Sequence, residues 1–176
     1  MKKIIPLAMI SIGAMGVLNT VKANTGEVQF IGAVTDTTCV INPEVDGLVK
    51  STIQLGTMKV DGSAAKEVYF NLVPESADCL NKTHASVGWQ SAGFDSAGLA
   101  NMKGDATGTS IALTALNSEP ANEKVTVNKQ NITFGSASNT TGIGAFQFKA
   151  QLTKTGTTSP TAGTVISSAA YAVAYK

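Results

Sequence analysis

Arginine is absent from this chain: its thirteen basic residues are all lysines, set against twelve acids and a single histidine. Charged residues make up only 14% of the sequence, and they are scattered. A nucleic-acid surface needs a basic stripe, so no nucleic-acid partner is expected. The missing guanidinium also removes the bidentate grip on carboxylates and phosphates. His84 has no partner pattern for a metal site or a catalytic triad. Zinc-protease, P-loop and dinucleotide fingerprints are missing as well. An enzyme is therefore not expected, and neither is a cofactor or a metal.

Long apolar runs are scarce too. The one candidate, between Ile4 and Leu18, is broken by Pro6 and Ser11 and is shorter than the ~20 residues of a spanning helix. Lys2 and Lys3 precede it, and Val21, Lys22 and Ala23 follow, which is the layout of a secretory signal over residues 1–23. The remainder, residues 24–176, is 153 residues long (176 − 23) and suits one domain with its own core. Its ten lysines (13 − 3) face twelve acids, a net charge near −2. Only two cysteines occur, Cys39 and Cys79. In an exported chain they form a disulfide. Closing a loop of about 40 residues would stabilise by roughly 4 kcal/mol in the chain-entropy model.

What the chain does have is strand-period alternation. Residues 26–34 place Gly26, Val28, Phe30, Gly32 and Val34 on one face. Residues 52–55, 68–73, 85–89, 111–116, 124–127, 131–134 and 146–152 read as further short strands, bounded by Gly, Pro, Asn and Asp. No helix is expected. Such spacing predicts an all-β immunoglobulin-like sandwich, with a closed barrel as the alternative.

The two ends carry the functional signal. In residues 163–176, Tyr171, Val173 and Tyr175 alternate with Ala170, Ala172 and Ala174, so an apolar strand runs to the last residue. One edge of that strand needs cover from elsewhere, because bare apolar edges aggregate. Just after the expected signal, Asn24, Gly26, Val28 and Phe30 share one strand face. A segment of this kind pairs with the open edge of another copy, backbone bonds giving affinity and alternate side chains giving register.

These landmarks resemble the pilins of the chaperone–usher route. The resemblance rests on Gly26, Phe30 and Gly32 leading to Cys39, on Thr52 to Gly56, and on Phe70, Asn71 and Leu72 before Cys79. It extends to Phe146, Phe148 and Ala150, to Gly163 fourteenth from the end, and to the penultimate Tyr175. Asn24, the Asn42 to Val45 stretch and Asp78 to Leu80 are closest to intestinal fimbriae whose subunits bind acidic glycolipid. The resemblance implies an incomplete immunoglobulin-like sandwich, lacking its seventh strand and completed by a donor strand. Residues 24–30 would be the donor segment. Gly163, Tyr171, Val173, Tyr175 and Lys176 would serve chaperone recognition and line the acceptor groove. The implied partners are a periplasmic chaperone, an outer-membrane usher and neighbouring pilin subunits. The implied destination is a fimbria on the surface of a Gram-negative bacterium, reached through the periplasm, where it supports adhesion to host cells.

A lectin-like subunit that binds a host glycolipid directly is the alternative. Its candidate sugar contacts are Lys149 and Lys154, though solvated lysines are the simpler reading. Trp89 could stack on a sugar, yet a lone Trp in a sandwich is more often core. The Asn-X-Thr triplets at Asn81, Asn131 and Asn139 follow from a Thr-rich composition rather than from glycosylation.

Overall fold

The computed structural model describes residues 32, 34 and 39–176. The expected signal and the donor positions Asn24, Gly26, Val28 and Phe30 lie outside the described residues. In chain order the strands are β1 (Ile41–Val45), β2 (Leu48–Val49), β3 (Val68–Pro74), β4 (His84–Gln90), β5 (Leu99–Ala100), β6 (Thr109–Ala115), β7 (Glu123–Val125), β8 (Asn131–Gly135), β9 (Phe146–Lys154) and β10 (Ala170–Tyr175). One short helix, α1 (Ala77–Leu80), joins β3 to β4. It corrects the helix-free expectation; four residues are too few to show a helical period.

Alternation decides which face each strand buries. In β9, Phe146, Phe148, Ala150 and Leu152 are buried, while Gln147, Lys149 and Gln151 turn outward. β3 pairs antiparallel with one side of β9 and β6 with the other. The large sheet continues beyond β3 through β1 and β2, while β5 and β7 share the far edge of β6. A second sheet has the order β10-β4-β8, also antiparallel. The molecule is thus an all-β sandwich of two separate sheets rather than a closed barrel.

Aromatic rings fill the space between the sheets. Phe148 stacks on Phe70 at 5.5 Å, and Trp89 meets Phe148 edge-on at 5.2 Å. Phe134 packs edge-on against Phe146 at 5.0 Å. Such pairs add about 0.5–1.5 kcal/mol each beyond their area burial. The expected disulfide is present: Cys39 bonds the fully buried Cys79 with a Cα separation of 6.2 Å. It ties the chain ahead of β1 to the β3–β4 connection.

One strand expectation differs from the structure: residues 52–55 lie in no ladder. The last strand is laddered over Ala170–Tyr175, where the alternation places it.

Candidate functional site: an open strand edge over an apolar cleft

Among the described residues β10 pairs with β4 alone. In an antiparallel ladder, alternate residues turn both backbone polar groups to one side. The Lys176 N–H donates to the His84 carbonyl at 3.0 Å, whereas the Trp89 N–H donates away from β10 to the Gln130 carbonyl. Those two bonds fix the phase. Ala170, Ala172 and Ala174 face β4, so Tyr171 and Val173 direct N–H and C=O to the opposite edge.

The same phase continues upstream of the ladder. The Ser168 carbonyl accepts from the Ser91 hydroxyl at 2.7 Å, and the Ile166 carbonyl accepts from the Met102 and Lys103 N–H groups. Val165, Ser167 and Ala169 make no backbone hydrogen bond among the described residues. From Val165 to Val173, every odd-numbered residue therefore presents unpaired backbone to one side. That edge is roughly 27 Å long at strand spacing.

Residues 52–56 form the facing wall. Ile53 and Leu55 turn toward the core while Thr52, Gln54 and Gly56 are exposed, and the backbone of this stretch has no hydrogen bond among the described residues. Between the walls lies a cleft of about 440 Å³ lined by Ile53, Phe70, Leu72, Trp89, Leu113 and Tyr171. A wider hollow of about 1010 Å³ adjoins it between residues 52–61 and 160–167. Ile53, Leu55, Ile111, Ala169, Tyr171 and Val173 pack against the core while staying partly exposed. The sandwich is thus unsealed along this line. Trp89 Nε1 and Ser167 Oγ, both in residues lining the cleft, are buried without a hydrogen-bond partner.

The other end of β10 is closed. Tyr175 is 3% exposed and packs against Phe146 at 6.0 Å; burial pushes its phenol up to about 12. Burial also raises the Tyr171 phenol, which donates to the Ile41 carbonyl at 2.8 Å.

The C-terminal candidates thus fall on one feature. Tyr171 lines the cleft, Val173 lies on the same open edge and packs against the core, Tyr175 anchors the end of the strand, and Lys176 continues it into solvent. Gly163 stands at the rim for a spatial reason: a Cβ there would lie 2.6 Å from the Ala106 nitrogen. Lys149 and Lys154 have opposite parity on β9, so the strand sends them to opposite faces. The Lys149 ammonium is hydrogen-bonded and ion-paired to Glu67, which raises the lysine and lowers the carboxyl from their usual values. Tyr69 donates to the same carboxylate at 2.6 Å. Trp89 belongs to the core, at 7% exposure. Sequence reasoning missed the role of residues 52–56 as a wall. The signal was there in the Ile53–Leu55 alternation, which marks a strand but not a strand without a neighbour.

Among the described residues, one strand edge is thus left unpaired beside an apolar cleft. The chain is 36% identical over 155 residues to the K99 fimbrial protein of Escherichia coli, covering 84% of this chain and 83% of the relative. It is 33% identical over 181 residues to the F107 fimbrial protein of Escherichia coli, covering all of both chains. This chain belongs to that family of fimbrial proteins: it is a structural pilus subunit and not an enzyme. No family model matches it. Among solved structures, the P pilus rod subunit PapA aligns over 85% of this chain and all of its own at 16% identity, with a TM-score of 0.45.

Proposed function

We propose that this subunit enters its fibre by strand complementation, its cleft taking the N-terminal segment of a neighbouring copy. The observation that carries the reading is the edge from Val165 to Val173, unpaired beside an unsealed apolar core. A strand laid there would bond β10 on one side and residues 52–56 on the other. This is strand addition of the kind known from chaperone–pilin complexes.

The occupant is the donor segment of a second copy, residues 24–30, carried on by the same alternation as far as Val34. Nine residues, 26–34, alternate on the donor, and nine, 165–173, make the acceptor edge. Val34, of the same parity as Val28 and Phe30, is 97% exposed, an apolar group without cover in its own domain. Before assembly a periplasmic chaperone would fill the cleft and hold the C-terminal strand through Lys176. An outer-membrane usher would then exchange that cover for the next subunit. Exchange of a looser strand for a better-packed one needs no nucleotide. The fibre would support adhesion to host cells. Direct binding of an acidic glycolipid through Lys149 and Lys154 has less support, because Lys149 is engaged by Glu67 and Lys154 points to the other face.

The test is Val28→Asp and Phe30→Asp, which would bring a charge into an apolar cleft. Each variant should still co-purify with chaperone yet be missing from surface fibres. Normal fibres from either one would overturn the donor assignment.

A further inference from the structure

The ladder of β10 stops at Ala170, yet the open edge runs on to Val165. Asn101 adds to the backbone bonds from Met102 and Lys103 that hold this upstream stretch. Its Nδ2 donates to the Thr164 carbonyl at 2.9 Å and to the Ala106 carbonyl at 2.8 Å. Its Oδ1 accepts from the Ile166 N–H at 2.8 Å and from the Gly104 N–H at 2.9 Å. The carboxamide thereby uses its full capacity of two donors and two lone pairs. The bonds to Thr164 and Ile166 have the pattern a residue of a parallel strand would make when opposite Val165.

Neighbouring groups fit the same purpose. The Ala106 N–H donates to the Thr164 carbonyl at 3.1 Å. Gly104 lies so close that a Cβ would overlap the Thr164 oxygen. With Thr164 and Ile166 bonded away from the cleft, Val165 and Ser167 are left facing it.

From this we infer that Asn101 is a positioning residue that stands in for an absent strand and lengthens the acceptor edge from β10 back to Val165. Without it the stretch from Thr164 to Ile166 would keep only the backbone bonds from Met102, Lys103 and Ala106, and the cleft would hold the end of a full-length occupant less firmly. The inference rests on the strand-complementation reading above.

Peptide length is the readout. Dilute, refolded mature chain (residues 24–176) is titrated with fluorescein-labelled peptides copying residues 24–34, 24–30 and 28–34, followed by anisotropy. Wild type should bind the full peptide more tightly than either truncation. Asn101→Ala should bind it about tenfold more weakly and no longer distinguish it from one of the truncations. Asn117→Ala is the matched control. Its amide donates to the Ala145 carbonyl and accepts from the Gln147 N–H, away from the cleft, so this variant should keep the wild-type profile. If Asn101→Ala fails to refold, Asn101→Asp keeps the acceptor for the Ile166 N–H, loses the donors, and should show the same loss of length dependence. A wild-type profile in the Asn101 variants, or the same loss in Asn117→Ala, would overturn the inference alone. A wild-type chain that takes up none of the peptides would overturn the complementation reading and the inference with it.

Discussion

Tyr171 lies opposite Trp89 in the β10–β4 ladder, and their rings meet at 5.7 Å between centroids. Both line the cleft, so the aromatic core of the sandwich reaches the open edge at this pair. Phe148 and Phe70 lie behind Trp89, and a covering strand would close over the front.

Trp89 is the only tryptophan of the chain, which makes it a built-in reporter. Uptake of a peptide copying residues 24–34 should shift its emission to the blue and reduce quenching by acrylamide. An unchanged spectrum from chain shown to have taken up the peptide would contradict a strand lying over this cleft.

Gly163 is required by space. Its absent Cβ would sit 2.6 Å from the Ala106 nitrogen and 2.9 Å from the Asp105 carbonyl carbon. Gly163→Ala should therefore destabilise the peptide-complemented chain by about 1–3 kcal/mol in urea unfolding. Gly144→Ala, where nothing lies within 4 Å, should be close to neutral.

The Cys39–Cys79 bond closes a separation of 40 residues and has one end in the core. Replacing both cysteines by Ala should cost about 2–5 kcal/mol by the same measurement. An unchanged unfolding midpoint would mean that the bond constrains nothing the fold does not already fix.

The Tyr175 phenol gives a pH dependence of known sign. Its folded value is raised to about 12, above the ordinary value near 10. Between these values the folded state retains a proton that the unfolded state releases. The contribution is therefore complete below about pH 10 and lost as pH rises through about 12. Thermal melts across that window should fall more steeply for wild type than for Tyr175→Phe. Parallel slopes would contradict burial of this phenol.

How much of this was legible without coordinates follows from the range of each signal. β3, β4, β8 and β9 were readable because their alternation is local. β1 was not, because Asn42, Pro43 and Glu44 interrupt its pattern and its ladder comes from β3. The two-residue β2 and β5 are too short for any period. The terminal strand was readable as a strand, but its neighbours were not: Thr164 and Ile166 are bonded by Asn101, more than sixty positions earlier. Residues 52–55 show the reverse case, a strand pattern with no partner inside the described domain. That mismatch between local pattern and missing ladder is what the proposed function explains.

Amide hydrogen exchange tests the central claim most directly, because it reads backbone bonds residue by residue. In a chain of residues 24–176 alone, the N–H groups of Val165, Ser167, Ala169, Tyr171 and Val173 should exchange fast while those of Ala172 and Ala174 stay protected by β4. Adding a peptide of residues 24–34 should slow the fast set selectively. Slow exchange at all five in an isolated monomer, with no strand added, would contradict the account.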